Sequence, residues 1–443
     1  MPRKSTPFPE SFLHFVWRMR YLHPHKPLYT CDGRKIDVIH PGYWNHDQGP
    51  DFLQAQLRID GVLWHGHVEI HVQARDWYRH RHHHDPGYDG VVLHVVFQSK
   101  SIAVLRHDGT EIPELVLEGS IPDSLIKGFD HLQIDKHSIP CEKQFGDVPQ
   151  TIKSFWLNRL AIERFETKTQ QAQQQLDKAQ GDWNQLLWIQ LAEAMGGPIN
   201  KEAFGAIARA VPYSTLNRYR QNQQSLEATL MGLAGMFYEK GNLEEPYLQM
   251  LHSTWAHLKR KHLFPEKPVF PLRYHRMRPA SFPGIRLSQL AAILMQWPQP
   301  MALLNHDIIY QFLKAPIQAS SFWSTHFTFS KSSADKPKHL GRQQKEMIIL
   351  NTLIPTGLLY QKTHGQASHD TWLEKTLSQL QPEDNRYTRI FTTLDTPPNH
   401  VLDSQGMLVL YKQYCQSKRC LECGIGAHIL GKKSRNHMAI VSQ

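Results

Sequence analysis

The sequence predicts an α+β protein: an N-terminal mixed β-sheet domain, then a mainly α-helical region and a cysteine-containing C-terminal segment. Three observations carry that expectation. Residues 53–59 and 62–72 alternate apolar and polar side chains around Asp60-Gly61, the pattern of a half-buried antiparallel hairpin. Residues 91–97 are apolar on both faces, apart from His94, as in a central strand. From about Thr151 the apolar spacing changes from that of strands to that of helices. The expected division is 1–145 for the sheet domain, 146–320 for a helical domain, and 321–443 for a mainly helical C-terminal region.

In chain order, Pro9-Glu10 opens a helix with Phe12, Phe15, Val16 and Met19 at helical spacing. Glu10 suits either a first-turn partner of the helix dipole or an extra metal ligand delivered from the helix. A short hairpin is expected around Asp32-Gly33, and a loop with Asn45 and Asp47 leads into the long hairpin. Residues 75–89 are too polar for core; their run His80, His82, His83, His84 reads as solvent-facing, with a Zn²⁺ loop as the alternative. Residues 102–105 and 115–117, around Asp108-Gly109, read as a closing hairpin. Helices follow, one of them over 183–195 and ended by Gly196-Gly197-Pro198. Residues 346–354 read as an apolar helix or strand ending at Pro355. Arg276, Arg278 and Arg286 suit contacts to an acidic partner or ion pairs inside the bundle equally well.

Composition narrows the function classes. The 443 residues are 40% hydrophobic and 20% charged, which is globular and not disordered. No apolar run is long enough for a membrane helix, and the first residues lack a signal-peptide core, so the expectation is a cytoplasmic protein with no membrane partner. Five cysteines, three of them in one short cluster, do not form a disulfide framework. A net charge of +10 suits a polyanion such as nucleic acid, and equally a merely basic surface.

Chemistry concentrates on the second hairpin strand, where His65, His67, Glu69 and His71 share one face. Pro50-Asp51 on one strand and Glu69-Ile70-His71 on the next resemble the core of the PD-(D/E)xK nucleases. The resemblance implies Asp51, Glu69 and His71 as catalytic residues. Asp51 and Glu69, with the Ile70 carbonyl, would hold Mg²⁺ or Mn²⁺ through hard oxygen ligands. His71 stands where those nucleases carry lysine, and it would position a water or take its proton. Register opposes this picture. A two-residue turn at Asp60-Gly61 sets Asp51 opposite Ile70 and so faces it away from Glu69. The site therefore requires a bulge near residues 50–53 or a longer turn. A metal site of His65, His67 and His71 is a further reading, and His94 reads as a hydrogen-bonded core residue that could orient a ligand.

The second signal is Cys415, Cys420 and Cys423. Their spacing supplies most of a Zn²⁺ or iron–sulfur site, with Cys141 expected as the fourth ligand and His428 as its substitute. The layout is similar to that of some nucleases of the same superfamily, in which one distant cysteine joins several near the C-terminus. Over nearly the whole chain, Gly49-Pro50-Asp51-Phe52, Val68-Glu69-Ile70-His71-Val72, Arg278-Pro279-Ala280-Ser281-Phe282-Pro283-Gly284, Pro382-Glu383-Asp384-Asn385 and Cys420-Leu421-Glu422-Cys423-Gly424 resemble a bacterial family of unknown function, DUF2851. That resemblance implies one full-length unit and supplies no activity. The residues themselves point to a divalent-metal-dependent nuclease or phosphodiesterase acting on nucleic acid; the alternative is a non-catalytic nucleic-acid-binding or scaffold protein with a structural metal site.

Overall fold

A computed structural model describes residues 9–23, 26–99, 103–135, 137–237, 245–265, 267–365 and 369–440. The segment read for a leader, and part of the strand expected at 102–105, lie outside these. The protein is α+β. It divides into two compact units. The first holds residues 1–158, 386–397 and 406–443, and the second residues 159–385 and 398–405.

The first unit is built on a seven-stranded mixed sheet. Its strands are β1 (Leu28–Tyr29), β2 (Lys35–His40), β3 (Tyr43–Trp44), β4 (Phe52–Ile59), β5 (Val62–Gln73), β6 (Val91–Gln98) and β7 (Glu114–Val116). The order is β1-β2-β4-β5-β6-β7, with β3 beside β4. β4 and β5 form the expected hairpin, and Asp60 and Gly61 adopt φ of 51° and 83°, the backbone of a type I′ turn. β6 is buried along its length and pairs in parallel with both β5 and β7. The strand at 115–117 therefore belongs to the parallel part of the sheet and does not return as the hairpin expected from Asp108-Gly109. An antiparallel bridge from Thr30 to Leu115 brings the two ends of the sheet together, so it curls toward a barrel.

Helix α1 (Glu10–Met19) buries Phe12, Leu13, Phe15, Val16 and Trp17, and the Trp17 indole donates to the Pro41 carbonyl at 3.0 Å. Its opposite edge carries Glu10 and His14, one turn apart. The crossover from β5 to β6 contains a single helical turn, α2 (Asp76–Arg79), and two 3₁₀ turns, His82–His84 and Pro86–Tyr88. Gly66 makes room for the chain entering β6: a Cβ there would lie 2.3 Å from Val92 Cγ1 and 2.7 Å from the Gly90 carbonyl oxygen.

The second unit is helical around a core that includes Trp188, Phe204, Leu226, Met231, Leu290, Phe312 and Trp323. The helical run Trp183–Ala210 breaks at Gly197 (φ 59°, ψ −169°), where the Gly-Gly-Pro sequence set the expected stop. The stretch before Pro355 is helical, with a π-helical turn at Ile349–Leu353. Arg286 bonds the neutral oxygens of Gln289 and Ser281, at 3.0 and 3.1 Å, and burial lowers its pKa to about 10. Arg276 and Arg278 are exposed.

A candidate metal centre

The hairpin register places the carboxylates. Pairing runs Ile59↔Val62 to Ala55↔Gly66, then shifts so that Phe52 faces Val68. The extra residue lies at Leu53–Gln54, and Gln54 takes a left-handed φ of 55°. One residue of slip brings Asp51 opposite Glu69, whereas the unbulged register faces it to Ile70. The Asp51 amide donates to Glu69 Oε2 at 3.0 Å, and the Ile70 amide donates to Asp51 Oδ2 at 2.9 Å. His14 Nε2 on α1 lies 3.2 Å from the same Asp51 oxygen.

The other carboxylate oxygen of Glu69 faces imidazoles. Glu69 Oε1 is 3.4 Å from His71 Nε2 and 3.3 Å from His82 Nε2. His71 Nε2 is also 3.2 Å from His80 Nδ1. One nitrogen from each of His71, His80 and His82 falls within 4.8 Å of the others. His82 is buried, its Nε2 makes no hydrogen bond, and its ring stacks on Tyr88 at 3.9 Å. Arg81, at a left-handed φ of 63°, makes the turn that lets His80 and His82 reach one place from a short crossover.

Behind His71 runs a buried relay along one face of β5, β6 and β7. Glu114 Oε2 is 3.0 Å from His94 Nδ1, and His94 Nε2 is 2.9 Å from His71 Nδ1. The tautomers follow from the carboxylate end. An ionised Glu114 accepts from His94 Nδ1–H, which leaves His94 Nε2 as acceptor for His71 Nδ1–H. The lone pair of His71 is then on Nε2, aimed at Glu69 and His82. Burial would raise Glu114, but hydrogen bonds from His94, Ser99 and Cys31 outweigh it and hold the carboxyl below its ordinary value.

Burial and crowding set the electrostatics of these groups. Burial, then repulsion by Asp51, pushes Glu69 up to about 8. Burial, with Asp51, Glu69 and Asp76 nearby, outweighs His14 and raises Glu10 to about 7. Burial opposes protonation of His14, yet the hydrogen bond and charge of Asp51 raise its pKa. His71 is held far below its usual value by burial and by His94, His82 and His80. Burial also lowers His80 and His82, so these three rings offer lone pairs at neutral pH.

Asp51, Glu69 and His71 thus come together. The chain differs from expectation at the histidine run: His80 and His82 turn to the site, while His83 and His84 pack against each other in a tilted pair, 3.8 Å between ring centres. His65 is exposed, and His67 Nδ1 accepts the Gln54 amide at 3.3 Å, so neither joins His71. Glu10 is close enough to His14, Asp51 and Glu69 to feel their charges, besides standing in the first turn of its own helix. His14 and Glu114 were not legible as site residues, and His80 and His82 were legible only through the Zn²⁺-loop alternative to a solvent-facing run. Their only sequence signals are the four-residue interval between Glu10 and His14 and the density of imidazole after β5. Exposed Arg75, Arg79 and Arg81 lie on the segment that carries His80 and His82.

A family model described as a protein of unknown function (DUF2851) matches residues 10–386. No curated protein and no solved structure matches the chain.

Proposed function

The chain belongs to the DUF2851 family, whose function is unknown, and from its own residues we propose a divalent-metal-dependent phosphodiesterase acting on nucleic acid. One observation carries this reading: Glu69 Oε1 lies 3.4 Å from His71 Nε2 and 3.3 Å from the unpartnered His82 Nε2. Glu69, His71 and His82 would hold the ion, with His80 within reach of the same place. Two or three imidazoles with a carboxylate suit Mn²⁺ or Zn²⁺, whereas Mg²⁺ favours oxygen donors. The bound metal supplies a Lewis acid and lowers the pKa of a water.

The protein groups do the rest. Asp51 and Glu10 line the carboxylate side, and Glu10, with a pKa of about 7, is poised to take or return a proton. The Glu114–His94 relay keeps His71 Nε2 unprotonated. Arg75, Arg79 and Arg81 give the crossover a cationic surface that suits phosphates, in keeping with the net charge of +10. Asp51 opposite Glu69-Ile70-His71, with a parallel strand after the hairpin, supports the PD-(D/E)xK-like reading of this core.

The test is metal analysis of purified protein, then cleavage assays with Mn²⁺, Zn²⁺ or Mg²⁺ on single- and double-stranded DNA and RNA. Wild type should cleave at least one substrate, and Glu69→Gln should lose that activity. Stoichiometric metal with no cleavage above Glu69→Gln would instead support the scaffold reading. That reading has its own observation: Glu69, His71, His80 and His82 are enough donors to close a tetrahedral shell, as structural zinc sites do.

A further inference from the structure

A second cluster of metal-binding side chains lies in the same unit, apart from the histidine site. Cys141, Cys415, Cys420 and Cys423 are all buried, none forms a disulfide, and all four line one apolar pocket with Ile139, Phe145, Leu410 and Tyr414. Every pair of these sulfurs is close enough to interact electrostatically: Cys415 with Cys423, Cys141 and Cys420; Cys141 with Cys423 and Cys420; Cys420 with Cys423. Only Cys31 of the five cysteines stands elsewhere, and it is exposed.

Buried thiols also occur as small apolar core residues. Three local features argue for ligands instead. Cys415 ends a π-helical turn, Leu410–Cys415, a departure from regular helix that recurs at functional sites. Cys423 directly precedes the helix Gly424–Ile440, and its sulfur accepts the Ile425 and Gly426 amides at that positive helix end. The loop that carries Cys420 is pressed against the same turn: a Cβ on Gly426 would lie 2.2 Å from the Cys420 carbonyl oxygen. Amides aimed at sulfur favour an anionic, ligated sulfur much more than a neutral thiol, which accepts hydrogen bonds only weakly.

Spacing selects the kind of ligand. Tetrahedral zinc with Zn–S near 2.3 Å draws sulfurs to about 3.8 Å from one another. Among the described residues no three of these sulfurs come within 4.8 Å of one another, while three histidine nitrogens do. A group that places different sulfurs on different metal ions spans the wider arrangement. We infer that Cys141, Cys415, Cys420 and Cys423 ligate an iron–sulfur cluster. The cluster joins residue 141 to the C-terminal segment, and that segment in turn grips α1: Arg18 Nη2 donates to the Leu421 carbonyl at 3.1 Å. Lys418 donates to the Gln133 carbonyl of the neighbouring helix Asp123–Ile134. The cluster therefore fixes the helix that delivers Glu10 and His14, without touching the histidine site.

The experiment uses the full chain purified without oxygen, or reconstituted with Fe²⁺ and sulfide. Iron and acid-labile sulfide are measured with visible absorption, electron paramagnetic resonance and native thiol alkylation. The expected result is equal iron and sulfide, about two or four of each per chain, and alkylation of Cys31 alone until the protein is unfolded. Cys420→Ser should lose the chromophore and Cys31→Ser should keep it. Because Cys420→Ser can also fail to fold, the wild-type stoichiometry and alkylation pattern decide by themselves. Zinc without sulfide, or four buried thiols with no metal after reconstitution, would overturn the inference. Neither result would bear on metal at His71 and His82, which Glu69→Gln tests separately.

Discussion

Replacing Glu114 with glutamine tests whether the relay sets the chemistry at His71. The Glu114–His94 bond is a buried, charge-assisted contact at 3.0 Å, and Glu114 touches no donor of the proposed centre directly. A hydrogen bond to a charged group contributes about 1.5–3 kcal/mol, and a neutral one about 0.5–1.5 kcal/mol. Glutamine can still accept from His94 Nδ1–H, so the change removes about 1–1.5 kcal/mol of support for the tautomer that exposes the Nε2 lone pair. At about 1.4 kcal/mol per decade, Mn²⁺ or Zn²⁺ affinity should fall roughly tenfold. Calorimetric titration of wild type, Glu114→Gln and His71→Ala provides the assay, with His71→Ala losing more. Wild-type affinity in a folded Glu114→Gln protein would refute the relay, because the lone pair would then face the site without help from the carboxylate.

Other outcomes follow from the same geometry. Glu69 and Glu10 have raised pKa values in the metal-free protein, so stability from their protonated forms is complete below about 4.5 and is lost as pH rises through about 7–8. The lowered values of His71, His80 and His82 act in the opposite direction below about 6.5, so the melting temperature of metal-free protein should fall between about 6.5 and 8, and saturating Mn²⁺ should flatten that slope; a flat metal-free profile over this range would contradict the buried-carboxylate picture. Gly66→Ala drives a methyl into Val92 and the Gly90 carbonyl and should cost about 1–3 kcal/mol in denaturant unfolding. Gln54→Gly should be nearly neutral and Gln54→Val destabilising by roughly 1–2 kcal/mol, because residue 54 is left-handed in the bulge; equal effects from both would argue against the bulge.

Much of this was legible in the chain because it is local. The Asp60-Gly61 turn fixes the hairpin, the apolar run 91–97 fixes a central strand, and the Gly-Gly-Pro after Met195 fixes a helix break. Asp51, Glu69 and His71 could be named from their spacing, and the need for a bulge could be stated from register arithmetic. Where the extra residue sits could not be read, since a left-handed Gln54 carries no composition signal. The histidine run misled for a related reason. Alternating exposed and buried imidazoles look like a solvated loop until Arg81 turns the chain so that His80 and His82 point one way. Glu114 was illegible as a site residue because it lies on β7, two strands on from Glu69, and reaches the site only through His94 on the β6 strand between them.

The first unit is discontinuous in sequence: residues 386–397 and 406–443 complete what residues 1–158 begin. During synthesis, every residue that approaches the histidine site has been made once Glu114 emerges, whereas the segment packed against α1 is the last to appear. More than two hundred residues of the second unit, residues 159–385, are translated in between. The nascent sheet must wait that long with one face of α1 unsupported, which favours chaperone capture or late consolidation over strictly N-to-C folding. A stop codon or protease cut shortly after residue 400 would therefore damage the N-terminal site, although it removes none of that site's own residues.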